Sequence, residues 1–81
     1  MDFIEMIESL VKPLLKNQSA LSVREIGTDE GVVSFEILVD NEDLGRVIGR
    51  EGRVANALRT VAYASAIKEG FKIRLNFDAQ K

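Results

Sequence analysis

Val47-Ile48-Gly49-Arg50-Glu51-Gly52-Arg53 sets two glycines three residues apart, between a short run of helical character and a long one. Glycine has no Cβ, so a turn built this way can take left-handed or strained backbone conformations and let another backbone approach closely. Gly52 directly precedes the next helix. The first N–H groups of a helix lack partners inside it and its dipole is positive at that end, so the turn faces a place that attracts phosphate. Arg46, Arg50 and Arg53 crowd round it, and Arg59 follows two helical turns later. A GxxG between helices is commonly no more than a tight corner with solvated arginines. The apolar pair Val47 and Ile48 before it, and the apolar helix after it, set this one apart.

Downstream, Arg53 to about Ile67 reads as a long helix, with Lys68 in its last turn and Gly70 as its stop. Val54, Leu58, Ala62 and Ser65 share one side, and Ala57, Val61 and Ala64 widen the apolar sector to about half the circumference. That exceeds what one small sheet needs. The added edge consists of small residues suited to close helix packing, either by the first helix of the same chain or by a partner. Phe71 to Asp78 then alternates apolar and polar, as a half-buried strand does, and 78–81 is expected to fray.

Upstream, Asp40, Asn41, Glu42 and Asp43 are cap and first-turn residues for a short helix from about Glu42 to Ile48. With no third ligand nearby, these acids predict capping and no metal site. Val33, Phe35, Ile37 and Val39 alternate with Ser34, Glu36 and Leu38, and Leu21–Ile26 is rich in β-branched residues. Together they predict a hairpin whose turn is Gly27 to Gly31. Asp2 and Glu5 have the spacing of a capping box. Phe3, Ile4, Ile7, Leu10, Val11, Leu14 and Leu15 continue as one helical face to about Asn17, with a kink expected at Pro13.

The 81 residues make one small domain, 1–81, of globular composition. There is no Cys and no His, which removes disulfides, thiolate nucleophiles, imidazole bases and the usual zinc ligands. Gly45, Gly49 and Gly52 do not have GxGxxG spacing, and no Gly-Lys-Ser/Thr follows. The chain is therefore expected to be no enzyme and to need no cofactor. Its start is acidic and no apolar run reaches membrane-spanning length, so a cytoplasmic protein is expected. Net charge is −2, which by itself argues against nucleic acid. The distribution argues otherwise: Leu44 to Thr60 holds four Arg and one Glu, a positive patch in an acidic chain.

The element order is helix, strand, strand, helix, GxxG, helix, strand: an α+β fold with a three-stranded sheet covered on one face by helices. Val47-Ile48-Gly49-Arg50-Glu51-Gly52, followed by Leu58, resembles the VIGxxG signature of KH domains, and the order matches their type II arrangement. With Val11-Lys12-Pro13-Leu14 in the first helix and Asp43 to Arg50 before the second glycine, the whole chain is similar to the small bacterial KhpA (YlqC) family. Two departures stand out. Ala55 replaces a larger aliphatic, and Glu51 puts a negative charge in the turn. The resemblance implies a non-enzymatic single-stranded RNA-binding protein, an RNA chaperone or post-transcriptional regulator linked to cell growth and division. Gly49, Arg50, Glu51 and Gly52 would then clamp the RNA backbone, Arg46 and Arg53 would add phosphate contacts, and Gly45, Val47 and Ile48 would line or support the groove. It also implies self-association and pairing with a KhpB (Jag)-type KH protein, for which Ala57, Val61 and Ala64 are the candidate edge. Two alternatives stay open: an interaction module that has lost RNA binding, and a single-stranded DNA binder.

Overall fold

In the computed structural model, which describes residues 2–80, helix α1 spans Phe3–Val11, with Asp2 Oδ1 accepting the Glu5 N–H at 3.2 Å. The expected kinked helix to Asn17 does not form. The α-helix stops at Val11 and gives way to single 3₁₀ turns at Lys12–Leu14 and Gln18–Ala20. Pro13 has no N–H for the Ser9 carbonyl and its ring crowds that carbonyl, so the α ladder ends just before it. Leu15 is then extended yet buried. The apolar period survives Pro13, but the helix does not.

β1 (Ser22–Asp29) and β2 (Val32–Val39) pair antiparallel. Their loop is the two residues Glu30 and Gly31, with φ of 52° and 79°, a pattern that matches the right-handed twist of a hairpin. The turn is thus tighter than the expected Gly27–Gly31. Gly27 lies inside β1 just past a bulge, where the register shifts between Glu25 and Gly27 and Ile26 is the extra residue.

The Asp40 carboxylate accepts the Glu42 N–H at 2.9 Å and opens α2, Asn41–Ile48. α3 spans Arg53–Lys68. Gly70, at φ 84°, ends it: the Gly70 N–H donates to Ile67 O and the Phe71 N–H to Ala66 O, at 2.9 and 2.8 Å, a Schellman closure. The two helices carry the chain from the end of β2 back to its beginning. β3, Lys72–Ala79, therefore runs parallel to β2, as a crossover requires. Sheet order is β1-β2-β3, which leaves β3 as an edge. Where fraying is expected from Asp78, the strand continues to Ala79 and the Gln80 N–H donates to Val39 O at 2.7 Å. Lys81, the last of those residues, lies outside the described range, as does Met1.

The core lies between sheet and helices. Phe35, Ile37 and Val39 of β2 and Ile73 and Leu75 of β3 meet Ile7, Val11, Leu15, Val47, Leu58, Ala62 and Ala66. Ala55, the small residue at a signature position, is buried too. Among the described residues, no helix is long and apolar enough to cross a membrane.

Candidate nucleic-acid interface

α2 and α3 meet at a turn whose backbone is held almost wholly by glycine. The Gly49 N–H donates to Gly45 O at 2.8 Å, and the Gly52 N–H to Gly49 O at 3.2 Å. Gly49 takes φ 76°, ψ 173°, Glu51 φ 55°, ψ 26°, and Gly52 φ 75°, ψ 13°. The two glycines are needed for different reasons. A Cβ on Gly49 would run into the Val54 side chain and lie 2.9 Å from the Val54 backbone nitrogen, so this backbone is packed against the first turn of α3. A Cβ on Gly52 would meet only the Asn56 amide at 3.8 Å; there the left-handed φ alone calls for glycine. Since Gly52 is the N-cap of α3, no side chain caps that helix. Its electropositive end is left open to an incoming anion.

Arg50, Glu51 and Arg53 are exposed around this turn. The Arg46 side chain is also largely exposed, 3.9 Å from an Asp43 oxygen. Gly45 sits on the open face of α2, where an added Cβ would touch nothing, and Ile48 is half-buried beside the turn. Val47 is different: it is fully buried in the core and anchors α2 instead of lining a surface. The predicted residues thus form one corner, six of them at the surface or half-buried beside Gly49 and Gly52, with Val47 behind.

Asp43 stands in the first turn of α2, as the sequence suggests, but does more than face the helix end. It is buried, and its two oxygens accept the Asn17 N–H at 2.9 Å and the Lys16 N–H at 3.0 Å. These two amides, Asn17 first, hold its carboxyl below the usual carboxylate range, with Arg46 and Lys16 adding smaller attraction against the cost of burial. One carboxylate thereby ties the segment after Pro13 to the helix that leads into the glycine turn.

Along α3, residues sort into three faces at about 100° per residue. Ala55, Leu58, Ala62 and Ala66 face the core. Ala57, Val61 and Ala64 are exposed, Val61 at 50%, so α1 does not cover that edge. The third face, Asn56, Arg59, Tyr63 and Ile67, borders β3. Arg59, two helical turns beyond the glycine turn, donates Nε–H to Leu75 O and an Nη1–H to Asn56 Oδ1, both at 3.2 Å, and its guanidinium lies 5.2 Å from the centre of the Phe77 ring. The Leu75 N–H donates to the Tyr63 hydroxyl at 3.2 Å. Both outward backbone groups of Leu75 are thus occupied by α3. The spacing of 56, 59, 63 and 67 marks them as one helical face; what that face borders depends on β3 joining the sheet in parallel at its edge.

A family model described as the KhpA/KhpB KH domain matches residues 4–77. RNA-binding protein KhpA of Listeria monocytogenes serovar 1/2a is 42% identical over 71 residues, 88% of this chain and 92% of that protein. The proteins of the same name from Clostridium perfringens and Streptococcus pneumoniae serotype 4 are 41% identical over 69 residues (85% and 91% of the two chains) and 40% over 79 (96% and 98%). Among solved structures, Aquifex aeolicus Era bound to GDP.AlF4- superposes with a TM-score of 0.70 at 19% identity. That match covers 95% of this chain but 29% of Era, and it is a likeness of fold.

Proposed function

The chain belongs to the KhpA/KhpB KH-domain family, and from that premise we propose that it is a non-enzymatic protein that binds single-stranded RNA with the turn at Gly49–Gly52 against the sugar-phosphate backbone. The observation that carries this reading is the uncapped start of α3 beneath a turn without side-chain bulk, ringed by exposed Arg46, Arg50 and Arg53. The turn and helix end supply N–H groups and positive potential, the arginines supply counter-charge, and Gly45 and Ile48 leave an open, partly apolar wall for bases, of which a KH domain holds about four. Three phosphate contacts on a single strand give a salt slope of about −2, so binding falls steeply with ionic strength. Such a site is weak alone and gains from linkage to a second one. Self-association through Ala57, Val61 and Ala64, or pairing with a KhpB-type KH protein, supplies that second site. An RNA chaperone or post-transcriptional regulator acting in the cytoplasm on cell growth and division is the setting this implies.

Fluorescence anisotropy with short labelled oligoribonucleotides tests the reading, together with amide shifts by NMR. Binding that moves the amides of 49–53 and disappears in Arg50→Asp is the expected result. One feature favours a second reading, an interaction module without RNA: Glu51 places a carboxylate where phosphate would sit. Absence of binding at low salt would support that reading. Competition with the matched DNA oligomer separates RNA from DNA, since the discriminating contact is to the 2′-OH. For the partner edge, sedimentation of Val61→Arg is expected to show loss of the associated species, and unchanged association would move the interface elsewhere.

A further inference from the structure

At the far end of α3 from the glycine turn, Val32, Tyr63, Ile67, Lys72, Ile73 and Arg74 line a pocket of about 330 Å³ that wraps the beginning of β3. We propose that this pocket is a second contact for single-stranded RNA, taking the base of a nucleotide farther along the strand than those held at the turn. This rests on the RNA-binding reading above and extends it.

Three observations point the same way. The pocket shares a helix face with the start of α3: Asn56, Arg59, Tyr63 and Ile67 lie on one side of the helix and lead from Gly52 along the β3 edge, past Arg59 over Phe77 and the Tyr63 hydroxyl on Leu75, to the pocket. From Arg53 to Ile67 the helix advances about 21 Å, so a strand gripped at the turn reaches the pocket with nucleotides farther along than those at the glycines. Its chemistry suits a nucleotide. Tyr63, half-buried, presents an aromatic ring, Ile67 is 66% exposed, and Ile73 closes the floor. Exposed apolar surface of this size beside an aromatic ring accepts the face of a base.

The charge is right as well. Lys72 and Arg74 leave β3 on its outer face, and among the described residues neither makes an ion pair within 4 Å. The acids nearest in sequence and register are Glu69, exposed in the preceding loop, Glu36, on β2 diagonal to Arg74 and already paired with Arg24 at 2.7 Å, and Asp29, in the same row of the sheet as Lys72 through Val32. All three leave the two cations unclaimed. Two uncommitted cations flanking an apolar pocket in an acidic chain favour a polyanion with apolar bases over an acidic or apolar peptide.

The test uses the whole chain and two homopolymeric oligoribonucleotides, one of about four nucleotides and one of about ten, titrated at several salt concentrations. The double variant Lys72→Ala/Arg74→Ala changes only exposed side chains. It is expected to bind the short oligomer as the unaltered chain does and the long one roughly ten-fold more weakly, with the long-oligomer salt slope reduced by about 1.4, or 0.7 for each lost phosphate contact on a single strand. Amides of Tyr63, Ile67 and Ile73 shift with the long oligomer alone. Equal losses on both lengths, or no loss on either, would overturn the second contact while leaving the first intact. Shifts at Tyr63 and Ile67 that follow protein concentration without RNA would assign the pocket to protein contact and overturn it too. If neither oligomer binds and 49–53 stays unmoved, the primary reading fails with it, a result distinct from the others.

Discussion

Glu30-Gly31 and Glu51-Gly52 are the same dipeptide at nearly the same φ values, 52° and 79° at the first and 55° and 75° at the second. Each puts a glutamate in the left-handed region, which costs an L residue roughly 1 kcal/mol. Their surroundings differ. Glu30-Gly31 joins two adjacent strands at the tip of a hairpin, and a Cβ on Gly31 would meet nothing. Glu51-Gly52 follows a third positive-φ residue, Gly49, packed against Val54, and opens onto a 16-residue helix amid three exposed arginines. The local backbone therefore does not make a site. What distinguishes the second turn is the helix end behind it, the close packing that holds it and the sign of the charge around it.

The largest effect expected from this contrast is in stability. Gly49→Ala combines a backbone region reserved for glycine with a collision against Val54 that includes its backbone nitrogen, where relief is small. The expected loss is about 3 kcal/mol in urea unfolding. Gly31→Ala meets only the φ penalty, about 1 kcal/mol. Equal losses would mean that Gly49 is not held by the packing seen here.

The second turn is also anchored from behind, as the hairpin is not. Asp43→Ala leaves the Lys16 and Asn17 amides without their acceptor and is expected to lower the urea midpoint, less than Gly49→Ala does. The pH dependence follows from the lowered pKa. The stabilisation from Asp43 is present in full above the ordinary Asp value of about 3.9 and is lost as pH falls through the lower folded value. Asp43→Asn should therefore shrink the drop in stability on the acid side, measured as thermal midpoint against pH. An unchanged acid limb would place the titration that matters on another carboxylate.

Much of this arrangement is legible in the residues. Alternation in Val33–Val39 and Phe71–Asp78 marks two strands with one buried face, and Gly49 and Gly52 mark the corner, because period and glycine act locally. What escapes reading depends on residues far apart in sequence. Pro13 stops α1 where an unbroken apolar period suggests a bend, because a buried Leu15 can be reached through an extended turn as well as through a helix. Asp43 has the position of a first-turn acid, and only the return of Lys16 and Asn17 onto α2 makes it a buried acceptor. Arg59 has no signal of its own until β3 lies alongside. The bulge at Ile26 is hidden because Gly27 in a glycine-containing turn is as plausible locally as Gly27 in a strand.

A charge change separates the two turns next. Glu51→Lys removes a carboxylate from the proposed phosphate position and adds a cation, and is expected to raise RNA affinity about five-fold at moderate salt and to steepen the salt slope by about 0.7. Glu30→Lys makes the same formal change at the hairpin tip and should alter neither beyond a weak, fully screened attraction. Equal gains from both would show that net charge, and not the corner at α3, governs binding.

The smallest effect concerns what the two turns share. Replacing either glutamate by glycine relieves left-handed strain of about 1 kcal/mol but widens the unfolded ensemble by a comparable amount, so the net change is expected within about 0.5 kcal/mol. Because the φ values nearly coincide, Glu30→Gly and Glu51→Gly should give the same net change in urea unfolding. Neither glutamate makes a side-chain hydrogen bond or an ion pair among the described residues that would break this symmetry. A stabilisation confined to Glu51→Gly would reveal repulsion or strain specific to the corner, showing that Glu51 is held there against the preference of the folded chain. Equal values would assign its whole effect to the moment a phosphate arrives.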